Sequence, residues 1–274
     1  MTAKSDLLKF AIKTAKEAGK IHMSYFGNIS SLENKSTNID LLTNADIESE
    51  QYILKSIQDK FPHHSILSEE QPELKKNSEY IWIIDPLDGT TNFVHQLPVF
   101  SCSIGLKKNN ETILGVVYNP AANKCFYAEK NKGAFLNDKP ISPTSSDTLS
   151  ECLLVTGFPY KHDEKYDLLF SIFKDFYDIT RGVRRLGAAS LDLCFVAMGR
   201  FDGFYEYGLM PWDVCAGEII LKEAGGIISD WNGANKHPSD CSRVLASNKF
   251  IHKEMSDILL NEKYKIFIDQ NNSE

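Results

Sequence analysis

The stretch Trp82-Ile-Ile-Asp-Pro-Leu-Asp-Gly-Thr-Thr-Asn92 organises the reading of this chain. The apolar run Ile81 to Ile84 predicts a short buried strand that ends in Asp85. Pro86 restricts the backbone between Asp85 and Asp88, and Gly89 permits an unusual turn. Two carboxylates leaving the end of one strand can converge on a single cation. Hard oxygen donors of this kind suit Mg²⁺, which keeps some waters and takes further oxygens from a substrate phosphate. An isolated Asp-Gly between apolar runs reads as an ordinary β-turn. The second aspartate and Gly89-Thr90-Thr91 shift that balance, because the amides of such a turn can face a phosphate.

Upstream, Leu8, Ala11, Ile12, Ala15, Ala18 and Ile21 recur at helical spacing over 7–25. Residues 46–61 read as a second helix closed by Pro62, with Thr43 and Asp46 as a capping pair at its start. Downstream, Phe100 to Leu106, Thr112 to Tyr118 and Lys124 to Ala128 read as strands, punctuated by Asn119-Pro120 and Asn137-Asp138. The first half is therefore two helices followed by a largely antiparallel sheet. The second half alternates. Strands are expected at 153–156, 201–207, 227–230 and 243–247. Helices are expected at 166–177, 188–198, from Pro211 to Gly225-Gly226, and at 250–261. The change of style near 140–150 suggests an N-terminal α+β region (residues 1–145) and a C-terminal α/β region (residues 146–274).

The 274 residues correspond to one large or two intimate domains. Hydrophobic residues make up 42% and charged residues 24%, which excludes global disorder, a coiled coil and a collagen-like chain. The net charge of −7 disfavours general binding to a phosphate backbone, which needs clustered Lys and Arg. Arg181, Arg184 and Arg185 form a tight basic cluster, read as an interface or a solvated face. Six widely spaced cysteines without a CxxC pair predict buried free thiols. No apolar run is long enough to span a membrane, and the N-terminus has no apolar signal region. A cytoplasmic enzyme is expected.

Three further acidic positions have ordinary readings when taken singly. Ser68-Glu-Glu70 reads as a solvated loop, and Asp213 in Pro211-Trp-Asp213 as a helix-start partner of the macrodipole. Asp46 reads as a cap. Together with Asp85-Pro-Leu-Asp-Gly-Thr90, however, they form a pattern. Trp212-Asp-Val-Cys-Ala-Gly217 followed by Glu223-Ala-Gly-Gly226 is a second long signature, and Leu42-Thr-Asn-Ala-Asp46 fits the same set. Over about residues 5–262 the chain resembles the inositol monophosphatase family of Mg²⁺-dependent phosphatases, especially its bacterial branch. Ser68 departs from the glycine that usually precedes the Glu-Glu pair.

The resemblance implies a layered αβαβα sandwich of α+β class, a homodimer, lithium sensitivity and two or three Mg²⁺ per site. By it, Glu69, Asp85 and the Leu87 carbonyl hold a first ion, and Asp85, Asp88 and Asp213 a second. A third lies near Glu69, and Lys35 matches a lysine on a segment close to the metals. Thr90 and Asp46 orient and deprotonate a water, with Glu69 beside them. Gly89 and Thr90 amides hold the phosphate. Asp88, Ala189, Glu206 and Asp213 contact the hydroxyl-bearing part of the substrate.

Five carboxylates around a phosphate monoester demand such cations, since uncompensated they would repel the substrate and raise one another's pKa values. The expected reaction is in-line attack by water without a phosphoenzyme, on inositol monophosphate. Fructose 1,6-bisphosphate, histidinol phosphate and nucleotide phosphates are alternative substrates, because the signatures recognise phosphate and metal rather than the leaving group. A cysteine nucleophile followed by an arginine six positions on is not expected, and His95 reads as structural. A partner role in transcription or RNA processing is the alternative of another class.

Overall fold

Thr43 begins the second helix by capping it. Its hydroxyl accepts the Ala45 N–H at 3.1 Å, and its own N–H donates to Asp46 Oδ2 at 2.8 Å. This reciprocal cap satisfies donors that the helix start would otherwise orphan. The computed structural model describes residues 3–28, 32–34, 41–160, 165–232 and 241–267, with backbone alone for 32–34. Lys35 lies outside the described residues.

Helix α1 (Asp6–Tyr25) is followed by the antiparallel pair β1 (Leu32–Asn34) and β2 (Leu41–Thr43), then by α2 (Asn44–Lys60). Next come β3 (Ser65–Ser68), β4 (Tyr80–Asp88), the short α3 (Thr90–Val94), β5 (Ser101–Lys108) and β6 (Glu111–Asn119). β7 (Lys124–Glu129), β8 (Ala134–Leu136) and β9 (Lys139–Pro140) complete a seven-stranded sheet in chain order. It is antiparallel throughout except where β3 runs parallel to β4. Alternating side chains give it two buried faces. Trp82, Ile84, Cys102, Ile104 and Val116 pack with Leu8, Ala11 and Ile53 of the two long helices.

The rest of the chain supplies β10 (Leu153–Thr156), α4 (Tyr166–Ile179), β11 (Gly182–Arg184), α5 (Ala189–Ala197) and β12 (Gly203–Tyr207). Then follow α6 (Pro211–Ala224), β13 (Ile227–Ser229), β14 (Arg243–Ser247) and α7 (His252–Leu259). The second sheet has the order β11-β10-β12-β14-β13. Val155, Phe204 and Val244 face α5 and α6, while Leu154, Tyr205 and Leu245 face α4 and α7. The layers therefore run α1/α2, seven strands, α5/α6, five strands, α4/α7. This is an α+β αβαβα sandwich, and α5/α6 is its shared middle.

Several boundaries differ from the sequence expectation. The strand expected from Phe201 starts at Gly203, because Asp202 turns aside to accept the Thr144 hydroxyl and the Leu153 N–H. The last helix ends at Leu259, and a 3₁₀ segment, Glu262–Phe267, follows. Its end is fastened by Arg243, which donates to the Phe267 carbonyl and pairs with Asp230 in the interior. The second sheet is only partly parallel: β10 runs parallel to both neighbours, and β14 antiparallel to both of its own. All six cysteines are buried and outside any disulfide. No helix among the described residues is long and apolar enough to cross a membrane.

The middle layer sits close to the first sheet through a glycine pair. Gly105 and Gly115 face each other across β5 and β6. A Cβ on Gly105 would stand 2.5 Å from Cys215 Sγ, and one on Gly115 would stand 2.5 Å from the Ala216 carbonyl oxygen. Gly115→Ala must therefore push α6, and with it Asp213, off the sheet. The expected cost is about 1–3 kcal/mol of overpacking, read as a fall of several degrees in melting temperature. An unchanged melting temperature would show that the helix has room to move.

Candidate active site

Three segments from distant stretches of the chain open into one cavity of about 470 Å³. The first is the end of β3. The Glu69 N–H donates to the Ile84 carbonyl at 3.2 Å, so the β3–β4 pairing runs on and delivers Glu69 beside Asp85. The second is the end of β4, where register slips between Asp85 and Asp88. Asp85 Oδ1 accepts the Leu87 N–H at 3.0 Å, which shapes that slip into a turn. The third is the start of α6, where Asp213 Oδ2 accepts the Met210 N–H at 2.7 Å. Asp213 therefore does act as a helix-start cap, and it also faces the other carboxylates.

Asp88-Gly89 is not a hairpin turn. Gly89 takes φ +87 and leads into α3, and a Cβ there would lie 2.9 Å from the Val99 carbonyl oxygen. Left-handed backbone and tight space both call for glycine. Thr90, the first residue of α3, places its hydroxyl 3.0 Å from Asp46 Oδ1 and 3.1 Å from the Leu87 carbonyl. Asp46 does not line the cavity; it stands behind Thr90, with Oδ2 occupied by the Thr43 amide and hydroxyl. Glu69, Asp85, Leu87, Asp88, Gly89, Thr90, Ala189, Glu206 and Asp213 all line the cavity.

The carboxyl groups alter one another. Burial, then Glu69, Asp88 and Asp213, hold Asp85 well above the usual carboxylate range. Asp213 is raised by burial first and then by Glu69. Burial lifts Asp88 to about 6, against the hydrogen bonds from Ser190, which favour its ionised form. Glu206 is pushed up to about 8 by burial, with Arg185 opposing and Asp88 adding to the rise. At neutral pH Glu206 is therefore mostly a neutral acid, able to donate as well as accept. A set of hard oxygen donors that raise one another's pKa values, with Arg185 the only Lys or Arg in the described lining, matches what Mg²⁺ needs. Among the described residues no three His, Cys, Asp or Glu stand grouped as a finished metal site.

The structure bears on three readings. Arg185 lines the cavity and is also exposed, like Arg181 and Arg184, so the basic cluster reaches from solvent to the cavity rim. His95 is exposed at the end of α3 and does not line the cavity. The spacing of a cysteine nucleophile does occur once, at Cys194 and Arg200. Cys194 is nevertheless buried within α5, and burial followed by the Asp88 charge holds its thiol well above the usual range. A thiol kept protonated in a core is not a nucleophile.

Other participants escaped the sequence reading. Glu50 accepts from the Ser68 hydroxyl and from the Glu70 N–H at 3.2 Å, clamping both sides of Glu69. Ser68 thus uses its hydroxyl where the related pattern has glycine. Glu50 lies one helical turn beyond Asp46, and that spacing could have found it. Asn92 Nδ2 donates to the carbonyls of Val99 (2.8 Å) and Leu186 (2.7 Å), tying the loop before α5 to α3. Asp192 is buried in α5 with Oδ1 unpartnered among the described residues, and burial followed by Glu206 raises its pKa.

Comparison with known proteins places this geometry among relatives. The profile of the inositol monophosphatase family matches residues 3–264. The chain is 42% identical over 255 residues to an inositol-1-monophosphatase of Synechocystis, covering 92% of this chain and 88% of that protein. It is 38% identical over 264 residues to a protein of Pasteurella multocida named Nus factor SuhB, covering 94% and 98%. The solved inositol monophosphatase of Anabaena superposes with a TM-score of 0.81 at 39% identity, covering 93% of this chain and 95% of that one.

Proposed function

Because the chain belongs to the inositol monophosphatase family, we propose that it hydrolyses inositol monophosphate to inositol and phosphate in a Mg²⁺-dependent reaction. The observation that carries this reading is the convergence of Glu69, Asp85, Asp88 and Asp213 on one cavity beside the Thr90–Asp46 pair. In it, Glu69, Asp85 and the Leu87 carbonyl hold a first ion, Asp85, Asp88 and Asp213 a second, and a third binds near Glu69. Bound Mg²⁺ supplies the Lewis acidity that lowers the pKa of a water and offsets charge on the departing oxygen.

The chain's own groups do the rest. Asp46 is held by Thr43 and accepts the Thr90 hydroxyl proton, which leaves the Thr90 oxygen lone pairs to accept from a water. Thr90 and Asp46 thus orient the water and draw off its proton, with Glu69 on the same side. The Gly89 and Thr90 amides at the start of α3 receive the phosphate oxygens. Glu206, with Asp88, Ala189 and Asp213, contacts the hydroxyls of the polyol, and a neutral Glu206 both donates to and accepts from them. Residues 1–145 then carry most ion ligands, and residues 146–274 carry Asp213 and the polyol contacts other than Asp88.

The reading extends to a homodimer, lithium inhibition and a cytoplasmic location. The exposed Phe170 and Tyr177, two turns apart on α4, give a second copy an apolar stripe to cover. A partner role in transcription is the second reading, favoured by the Nus factor name of the Pasteurella relative.

The test is phosphate release from inositol 1-phosphate, with fructose 1,6-bisphosphate, histidinol phosphate and NADP alongside, in Mg²⁺ and in EDTA. Release that prefers inositol 1-phosphate and stops in EDTA is expected. Preference for another ester would replace the substrate and keep the site. No release from any ester by folded protein would overturn the enzymatic reading in favour of the partner role.

A further inference from the structure

Behind Asp88 lie two serine hydroxyls to which the hydrolytic reading assigns no task. Ser101 opens β5 and Ser190 is the second residue of α5; neither is exposed to water. A hydroxyl in such surroundings is costly unless it is bonded. Ser190 donates its Oγ proton to Asp88 Oδ2 at 2.5 Å and its N–H to the same oxygen at 2.9 Å. The Ser101 and Ser190 oxygens are 2.9 Å apart. An ionised carboxylate only accepts, so the single Ser190 hydroxyl proton is committed to Asp88, and Ser101 must be the donor of the second bond. The result is a directed chain from Ser101 through Ser190 to Asp88.

Both halves of the fold build this chain. The register slip in β4 brings Asp88 opposite Ser101 in the sheet. The start of α5 approaches from the other side, and its dipole favours an anion there. From this geometry we infer that Ser190, held in place by Ser101, is a positioning residue for Asp88. It engages Oδ2 and thereby presents Oδ1 in a fixed direction to a divalent cation. The inference rests on the metal-dependent reading above. It makes the first turn of α5, which also carries Ala189, one of the elements that set cation affinity.

The experiment is direct Mn²⁺ binding to the full chain, followed by calorimetry and by the electron paramagnetic resonance of free Mn²⁺. Wild type, Ser190→Ala, Ser101→Ala and the double variant are compared, each with its melting temperature in EDTA. Ser190→Ala is expected to raise the Mn²⁺ dissociation constant roughly tenfold, as loss of a group that orients a ligand does. Ser101→Ala is expected to raise it roughly threefold, the effect of one neutral hydrogen bond. The double variant should bind no more weakly than Ser190→Ala alone, because Ser101 acts only through Ser190. In EDTA, Ser190→Ala should melt a few degrees lower, because it strands the buried Ser101 hydroxyl, and affinities are read at a temperature where every variant is folded.

Wild-type affinity in Ser190→Ala would overturn this inference alone. So would a double variant whose loss equals the product of the two single losses, since the hydroxyls would then act independently. Should Ser190→Ala fail to fold, Ser101→Ala carries the test, and wild-type affinity there overturns the relay. A wild-type protein that binds no Mn²⁺ would overturn the metal-dependent reading and this inference with it.

Discussion

Asp88→Asn is expected to lower Mg²⁺-dependent phosphate release by roughly a thousandfold or more, the scale of losing a charge that organises the transition state. The same variant should be more stable than wild type when metal is withheld at pH 7. An acid whose pKa rises on folding binds its proton more tightly in the folded state. Folding is then favoured below the unfolded-state pKa, and that advantage is lost as pH rises through the folded-state value. For Asp88 the window runs from the ordinary 3.8 to about 6. Asp85 and Asp213, also raised, add to the loss in the same direction. Wild type in EDTA should therefore melt lower at pH 7 than at pH 5, and added Mg²⁺ should restore it. Asp88→Asn removes one ionising carboxyl, so both its fall with pH and its gain from Mg²⁺ should shrink. Phosphate release and thermal unfolding at the two pH values test this together. A variant that keeps its activity would remove Asp88 from the site.

Thr90→Ala is expected to cost about 10²–10⁴-fold in kcat with a smaller change in KM, the range for losing a group that relays a proton. Thr90→Ser keeps the hydroxyl and should recover most of that loss. Asp46→Asn should fall into the same range of activity. It should also cost about 1 kcal/mol of stability, because Asp46 closes the cap of α2 through the Thr43 N–H. The two variants thus separate the relay from the cap: Thr90→Ala loses activity alone, and Asp46→Asn loses both. Equal kcat in Thr90→Ala and wild type would sink the relay.

The two ends of Asp46 show how much of such a site is local. Its capping bond to Thr43 spans three residues, within one turn, and was legible from sequence alone. Its bond to Thr90 spans 44 residues and rests on β4 and α2 meeting. Ser101 and Ser190 are polar letters in apolar runs, and nothing in their spacing distinguishes a buried relay from two surface residues. Arg185 reads as part of an interface or a solvated face because its neighbours in sequence are basic; it is exposed as they are, and nothing in that spacing shows that it also lines the cavity and acts on Glu206. The Cys194–Arg200 interval, which the sequence analysis did not expect, is present but carries no chemistry because the thiol is sealed inside a helix.

By itself, the sequence determined the elements with strong periodicity or explicit punctuation. These are α1, the helices α2 and α6 with their caps, the antiparallel core strands, and the Asp85-to-Thr90 turn that pairs carboxylates with a glycine. Those features arise from interactions within a few residues, and their period or turn chemistry is written along the chain. Only the tertiary structure decided that Glu69, Asp85, Asp88, Glu206 and Asp213 share one cavity, that α6 rides close on Gly105 and Gly115, and that two serines stand behind Asp88. Each of those depends on which faces pack together. Side-chain packing across 102 residues, as between Ser190 and Asp88, leaves no periodic trace in either segment.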